Sequence, residues 1–214
     1  MIKSVRIDLI SDIVCPWCII GYKNLENALL TLSDSLKAEI YWHPFELNPM
    51  MKREGQNLRE HITEKYGTSL EASISARQTI TELGHDLGFK FNFTDDMKIY
   101  NTRKAHQLLL WAQSKNLQLE LEMALFKAYF THNQDISNPQ TLLNIADSLE
   151  LERNLCEQIL EDESWAETVS STEHQWLEAG INAVPAMIIE KKHLLSGAQP
   201  SEILVDALID IAEL

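Results

Sequence analysis

Cys15-Pro16-Trp17-Cys18 is the stretch of this 214-residue chain in which residue types and spacing together suggest a reaction. Two thiols separated by two residues can close a disulfide or stay open as a dithiol, so the pair can carry two electrons in either direction. The four residues stand where a strand pattern gives way to a helix pattern. With Cys15 as the N-cap and Pro16 as the first helical residue, the Cys15 sulfur is expected to face free backbone N–H groups, including that of Cys18, at the positive end of the helix dipole. Such donors favour a thiolate over a thiol, which makes Cys15 the expected nucleophile. Cys18, one turn further in and facing the core, is the expected resolving thiol. The competing use of two cysteines is half of a zinc site, which needs a second pair of ligands. Cys156 is alone, and no two of the seven histidines lie within five residues of each other, so no metal is expected.

Other residues carry weaker signals. Val184-Pro185 lies between a helix stop at Gly180 and a strand. Read from the residues alone, an ordinary trans proline at the start of a strand is the simpler reading, and a cis bond in a tight turn is the alternative. Trp17 is either an exposed platform for substrate side chains or a cap over the helix start. His106, near Leu109 and Leu110 on an apolar helix face, reads as a hydrogen-bonded core histidine rather than a proton shuttle. Cys156, beside Leu155 and Ile159, reads as inert packing. Glu161-Asp162-Glu163 reads as a solvated loop and helix start.

The elements that must position these residues follow from periodicity. Val5, Ile7 and Leu9 alternate with Arg6 and Asp8 and mark a strand. Cys18, Tyr22, Leu25, Leu29 and Leu32 then recur at helical steps. Alternation returns over Ala38–Phe45, which gives a βαβ opening and implies parallel strands. Helices are expected near 57–66, 69–87, 99–115, 118–131, 139–149, 151–161 and 164–179. Gly67, Gly88 and Gly180 stand at helix stops, and Asn138-Pro139 stands at a start. Phe89–Phe93 is too brief to be more than a loop or short strand. Ala186–Ile189 and His193–Leu195 read as strands around a Glu190-Lys191-Lys192 turn. A last helix from near Pro200 is expected to bury Ile203, Ala207, Leu208 and Ile211. The fold class is therefore α/β, a βαβ unit and a ββα unit flanking a large helical insertion. The division expected is residues 1–50 and 180–214 for the sheet-bearing domain and 51–179 for the inserted one.

Composition narrows the function. Lys and Arg number 18 against 32 Asp and Glu, a formal charge of −14, which opposes nucleic-acid binding. No apolar stretch approaches the roughly 20 residues of a spanning helix, and Arg6 and Asp8 interrupt the segment where a secretory signal would need an unbroken apolar run. A cytoplasmic protein is expected, where structural disulfides are rare and a cysteine pair is more often chemical.

The whole chain resembles the DsbA-like thioredoxin-fold family, in particular its FrnE-like branch of cytoplasmic dithiol-disulfide oxidoreductases. The matching segments run end to end in order: Asp12-Ile13-Val14-Cys15-Pro16-Trp17-Cys18 with Gly21, Phe45-Glu46-Leu47-Asn48-Pro49, Ala105-His106, Ala128-Tyr129-Phe130, Val184-Pro185 and Ser196-Gly197-Ala198-Gln199. The resemblance implies that Cys15 attacks, that Cys18 resolves, and that Pro185 is a cis-proline beside them. It also implies that the backbone before that proline pairs with an extended substrate. Where family members commonly carry Gly before the Val-Pro and aromatics after it, this chain has Ala183 and Ala186-Met187, a softer lip with consequences for substrate choice.

The function expected is therefore a thiol-disulfide oxidoreductase that reduces or isomerises protein disulfides through a mixed-disulfide intermediate. Its substrates would be disulfide-containing proteins or small thiols. It would need no cofactor beyond its own cysteines and would be recycled by a cellular reductant such as glutathione or thioredoxin. The alternative is a glutathione-dependent enzyme similar to 2-hydroxychromene-2-carboxylate isomerase or the kappa-class glutathione transferase. Those typically have Ser at the position of Cys15 and lack the second cysteine. A third reading is a non-catalytic chaperone or binding module.

Overall fold

A computed structural model describes residues 2–213. The chain opens with β1 (Lys3–Ser11), α1 (Pro16–Thr31) and β2 (Leu36–Pro44), and the two strands run parallel with Ile7 beside Ile40. Between this unit and the rest of the sheet come β3 (Gln56–Asn57), α2 (Leu58–Tyr66), α3 (Leu70–Asp86), β4 (Lys98–Ile99), α4 (Arg103–Gln113) and α5 (Gln118–Phe126). A π-helical turn over Lys127–Thr131 extends α5, and α6 (Pro139–Ser148), α7 (Arg153–Asp162) and α8 (Ala166–Glu178) complete the helical block. The chain then returns to the sheet with β5 (Ala186–Ile189) and β6 (His193–Ser196) and closes with α9 (Ser201–Ala212). The sheet order is β2-β1-β5-β6, with β5 antiparallel to both its neighbours. The expected βαβ and ββα units thus share one sheet, with β1 and β5 side by side.

Because β1 lies inside the sheet and both its faces are covered, it departs from simple alternation. Val5, Ile7 and Leu9 join the main core with Ile19, Leu25 and Ala28 of α1. Ile10, on the opposite face, joins Phe45, Ile181 and Ala186 in a smaller cluster against which Trp176 of α8 packs. Asp8 shares that second face and is buried, held by Arg6 and by His43 Nε2 at 2.7 Å. Burial of each large aliphatic side chain contributes about 1.5–3 kcal/mol, so a strand sandwiched in this way is a firm base for the loop that follows it.

Helix termini carry the expected signals. Asn138 Oδ1 accepts from Gln140 N at 2.9 Å with Pro139 at the first helical position, and Gly67 ends α2 with φ +65° in the left-handed region. Four expectations are corrected. The helix expected over 99–115 begins at Arg103, because Ile99 pairs with Gln56 in the small β3–β4 sheet. The helix expected over 118–131 leaves the α-helical pattern after Phe126. Glu161-Asp162-Glu163 is a helix end, Glu163 capping α7 at φ 50°. In α9 the buried residues are Leu204, Leu208 and Ala212, and Ile203 is 49% exposed. The stripe lies one residue on because the helix starts at Ser201 and presents that face to α1.

Candidate active site

Cys15 is the N-cap of α1, with extended backbone (φ −93°, ψ 111°), and Pro16 follows at the first helical position. The loop from β1 into the helix is closed by Cys15 N donating to Asp12 O at 2.9 Å. The Cys15 side chain does not accept the cap hydrogen bond expected of it; the Cys18 N–H goes to Cys15 O at 3.1 Å instead. The thiol turns the other way and donates to the carbonyl of Val184 at 3.8 Å.

Cys18 is buried, and Cys15 and Cys18 are both free thiols. Burial pushes the Cys18 thiol well above its usual range, and its hydrogen bond to Cys15 and the charge on Cys15 push the same way. The Asp12 backbone and the Ser11 hydroxyl oppose them. A thiol in this position keeps its proton until something nearby takes it.

The Val184-Pro185 bond is cis. Pro185 is held from the far side by the β6–α9 loop, where Gly197 N donates to Pro185 O at 2.8 Å with Gly197 at φ +78°. That loop is fastened to α1 by Asn24 Nδ2 donating to Gln199 O at 2.9 Å. Gly21 of α1 faces this contact, and a Cβ there would stand 3.4 Å from both Pro185 Cγ and Ala198 Cα. Asn182 and Ala183, just before the cis bond, are exposed, and Trp17 is 40% exposed. The structure therefore brings Cys15 and Val184-Pro185 together, with Cys18 one turn behind. Trp17 takes the exposed alternative, and Cys156 lies buried in α7, where burial first and then the charge of Asp147 push its thiol up to about 11.

His106 is buried as expected, and sequence reasoning missed the buried carboxylates around it. Asp12 is fully buried; its Oδ2 accepts from Leu47 N at 2.8 Å and its Oδ1 stands 3.3 Å from His106 Nε2. Burial alone would hold His106 down, but the charge of Asp12, with those of Glu122 and Glu46, raises it above its ordinary value. Glu122 of α5 is buried too and accepts from Ser11 Oγ at 3.2 Å. Burial lifts its carboxyl to about 7, against the opposing pull of His106 and Ser11. Glu46 is buried under Arg103, whose Nε and Nη2 both donate to Oε1 at 2.9 and 2.8 Å. Tyr66, at the end of α2, has its phenol pushed upward by burial and then by the charge of Cys15. Asp12, Glu46 and His106 fall in matched motifs; Glu122 carries no local signal.

Comparison with known proteins places this arrangement. A family profile described as DSBA-like thioredoxin domain matches residues 6–209. The uncharacterized protein YwbO of Bacillus subtilis (strain 168) is 25% identical over 208 residues, covering 97% of each chain. The crystal structure of a probable DsbA oxidoreductase from Streptomyces coelicolor superposes with a TM-score of 0.89 at 26% identity, over 96% of this chain and 89% of that one. A 2-hydroxychromene-2-carboxylate isomerase shares the fold with a TM-score of 0.71 at 15% identity, over 96% of this chain and 95% of that one.

Proposed function

The chain belongs to the DSBA-like thioredoxin domain family, and from that premise we propose that it is a thiol-disulfide oxidoreductase of the FrnE-like branch, acting through Cys15 and Cys18. The observation that carries the reading is the pairing of a thiol at a helix N-terminus with the cis Val184-Pro185 segment, Cys15 Sγ to Val184 O at 3.8 Å. Cys15 attacks one sulfur of a substrate disulfide, forming a mixed disulfide and releasing the other sulfur as a thiolate. Cys18 then attacks Cys15, closing the Cys15–Cys18 disulfide and freeing the second substrate thiol. An extended substrate lies along the Asn182–Val184 segment, whose Asn182 and Ala183 are exposed, with Trp17 as an apolar platform beside it.

The presence of two thiols weighs against the glutathione-dependent isomerase reading, whose chemistry has no use for Cys18. Among the described residues no helix is long and apolar enough to cross a membrane. In a reducing cytoplasm, the compartment proposed here, the pair rests as a dithiol. A dithiol reduces or reshuffles disulfides but cannot donate one. Substrates are disulfide-bearing proteins or small disulfides, and glutathione or thioredoxin returns the pair to the dithiol. Residues 1–50 and 180–214 are proposed as the exchange domain, with 51–179 inserted between them to shape its rim.

The test is turbidimetric reduction of insulin with glutathione as the terminal reductant. The wild-type protein accelerates it and Cys15→Ser abolishes the acceleration. An equal rate with Cys15→Ser would overturn the reading. Acid quenching and alkylation in growing cells should find the dithiol; a predominant disulfide would reverse the proposed direction.

A further inference from the structure

One ring ties down the segment that follows β2. His61, half-buried on α2, turns Nε2 to Asn48 Oδ1 at 2.9 Å and Nδ1 to Gln56 Oε1 at 2.8 Å. A neutral imidazole carries one N–H and one bare nitrogen, so it satisfies only one of two oxygens. Neither amide can turn to offer its nitrogen instead. Asn48 Oδ1 also accepts from Lys65 Nζ at 2.8 Å, and reversing that amide would set two donors face to face. Gln56 Nε2 donates to Glu64 Oε2 at 2.7 Å, and reversing it would set two acceptors face to face. A half-turn of the ring would put carbon against both oxygens. We infer, building on the proposed roles of Cys15 and Val184-Pro185, that His61 is a positioning residue that clasps Asn48 to Gln56 as an imidazolium, its proton governing reaction with protein disulfides but not with small ones.

What the clasp holds adjoins the cysteines. Leu47 N donates to Asp12 Oδ2 at 2.8 Å, and Asp12 O accepts from Cys15 N at 2.9 Å, so two hydrogen bonds separate this segment from the attacking residue. Lys65 Nζ donates to Leu47 O at 2.7 Å as well as to Asn48. Leu47 and Val184 pack against the same cluster of Ile10, Phe45, Ile181 and Ala186, so the segment stands beside the backbone on which an extended substrate is proposed to lie. Between it and α2 opens a cavity of about 710 Å³ lined by Leu47, Met50, Met51 and His61 among others, with Met50 91% exposed at its lip. A polypeptide must pass this wall to reach Cys15. A small disulfide need not.

The surroundings make the second proton removable. Burial first, and then the charge of Lys65, draw the His61 ring below its ordinary value, and Glu64 opposes them. The two amide oxygens oppose them too, because hydrogen bonds accepted from the charged form favour that form. Lys52 lines the same cavity and adds a further positive charge to it. From β4, Lys98 turns its Nζ to Glu54 O at 3.2 Å, and from α3, Arg77 is set against Arg59 and Asp95. The clasp is therefore closed in mild acid and loses one of its two bonds as pH rises.

The experiment has a spectroscopic arm and a kinetic arm. Long-range proton–nitrogen NMR spectra of the nitrogen-labelled protein from pH 5 to 8, with His61 identified by its loss in His61→Gln, should show two protonated ring nitrogens at the acid end and one at the basic end. Asn48→Asp, which puts a carboxylate between Lys65 and the ring, should move that change upward by about one pH unit. In the kinetic arm, His61→Gln should reduce insulin about fivefold more slowly than wild type at pH 5.5 and should match it at pH 8. Its reaction with 5,5′-dithiobis(2-nitrobenzoate) should match wild type at both. A merely structural His61 would give the same loss at both pH values, so an equal loss overturns the inference. A ring that keeps one proton or two throughout, or slowed reaction with the small disulfide, overturns it as well. If His61→Gln does not fold, Asn48→Asp decides alone: His61 is then the ring whose titration it moves, and no ring moved is the contrary result. Absence of insulin reduction by the wild type at every pH would instead contradict the proposed function, and the spectra would still decide the charge on His61.

Discussion

The Cys15 thiol points at the Val184 carbonyl, Sγ to O 3.8 Å, and not at the N–H groups of its own helix. Two segments 169 residues apart in sequence meet at that contact. Its consequence is a site built by the sheet, since β1 leads into Cys15 and β5 leads away from Pro185 as paired neighbours. On the proposed function, an extended substrate paired with the Val184 backbone would arrive with its disulfide beside Cys15.

Selective alkylation is the first consequence. Cys18 is held protonated, by burial before all else, and Cys156 is buried with its thiol at about 11. At pH 6 iodoacetamide should therefore modify Cys15 at least about tenfold faster than either, since the thiolate is the reacting species. Peptide mass mapping after brief labelling checks this, and equal rates for Cys15 and Cys18 would contradict it.

Gly21 offers a graded test of how closely α1 must approach the cis-proline. An Ala Cβ would make ordinary contacts of 3.4 Å with Pro185 and Ala198, and Ala is worth about 1 kcal/mol over Gly in a helix. Gly21→Ala should keep both stability and insulin reduction. Gly21→Val adds atoms that must displace Pro185 and should reduce turnover by about tenfold or more. Full activity in Gly21→Val would show that the contact does not set the geometry.

Gly84 is a purely structural counterpart. A Cβ there would run into the Phe91 ring and stand 2.8 Å from Phe89 O, so Gly84→Ala should destabilise the protein by about 1–3 kcal/mol. Chemical denaturation measures this, and an unchanged midpoint would contradict it.

Stability should also depend on pH through Glu122. Its folded-state value of about 7 lies above the ordinary 4.5, so the stability tied to its proton is full below 4.5 and is lost as pH rises through 7. The amount is on the order of 3 kcal/mol. His106 is raised as well, so its contribution is likewise lost as pH rises through its folded-state value. Urea unfolding of the reduced protein should show stability falling from pH 5 to pH 8, with a shallower fall in Glu122→Gln. Identical slopes would contradict the assignment.

How much of this was legible in the sequence depends on how local each signal is. The strand-to-helix switch at Cys15 and the short strands around Glu190 and Lys191 appear as changes of hydrophobic period, and the structure places them there. The Gln56–Asn57 and Lys98–Ile99 strands are two residues each, too short to have a period, and the helices expected over 57–66 and 99–115 take in Asn57 and Ile99. Residues Ala105 to Ala112 of α4 are all buried, so the apolar face that marks His106 as a core histidine carries no signal of the Asp12 carboxylate beside it. Glu122 stands 111 residues from Ser11 and acquires its character only from the burial the fold imposes. Cys15 was found because two thiols at that spacing are informative by themselves; its partner in space, Val184 O, is a backbone atom and carries no residue-type signal.

The central claim, that Cys15 forms the mixed disulfide and Cys18 resolves it, is tested most directly by intact-mass analysis of two variants mixed with oxidised glutathione. Cys18→Ser should accumulate a single glutathionyl adduct, mapped to Cys15, because the attack proceeds and the resolving thiol is gone. Cys15→Ser should remain unmodified under the same conditions. An adduct on Cys18 in Cys15→Ser, or none on Cys15 in Cys18→Ser, would contradict the account.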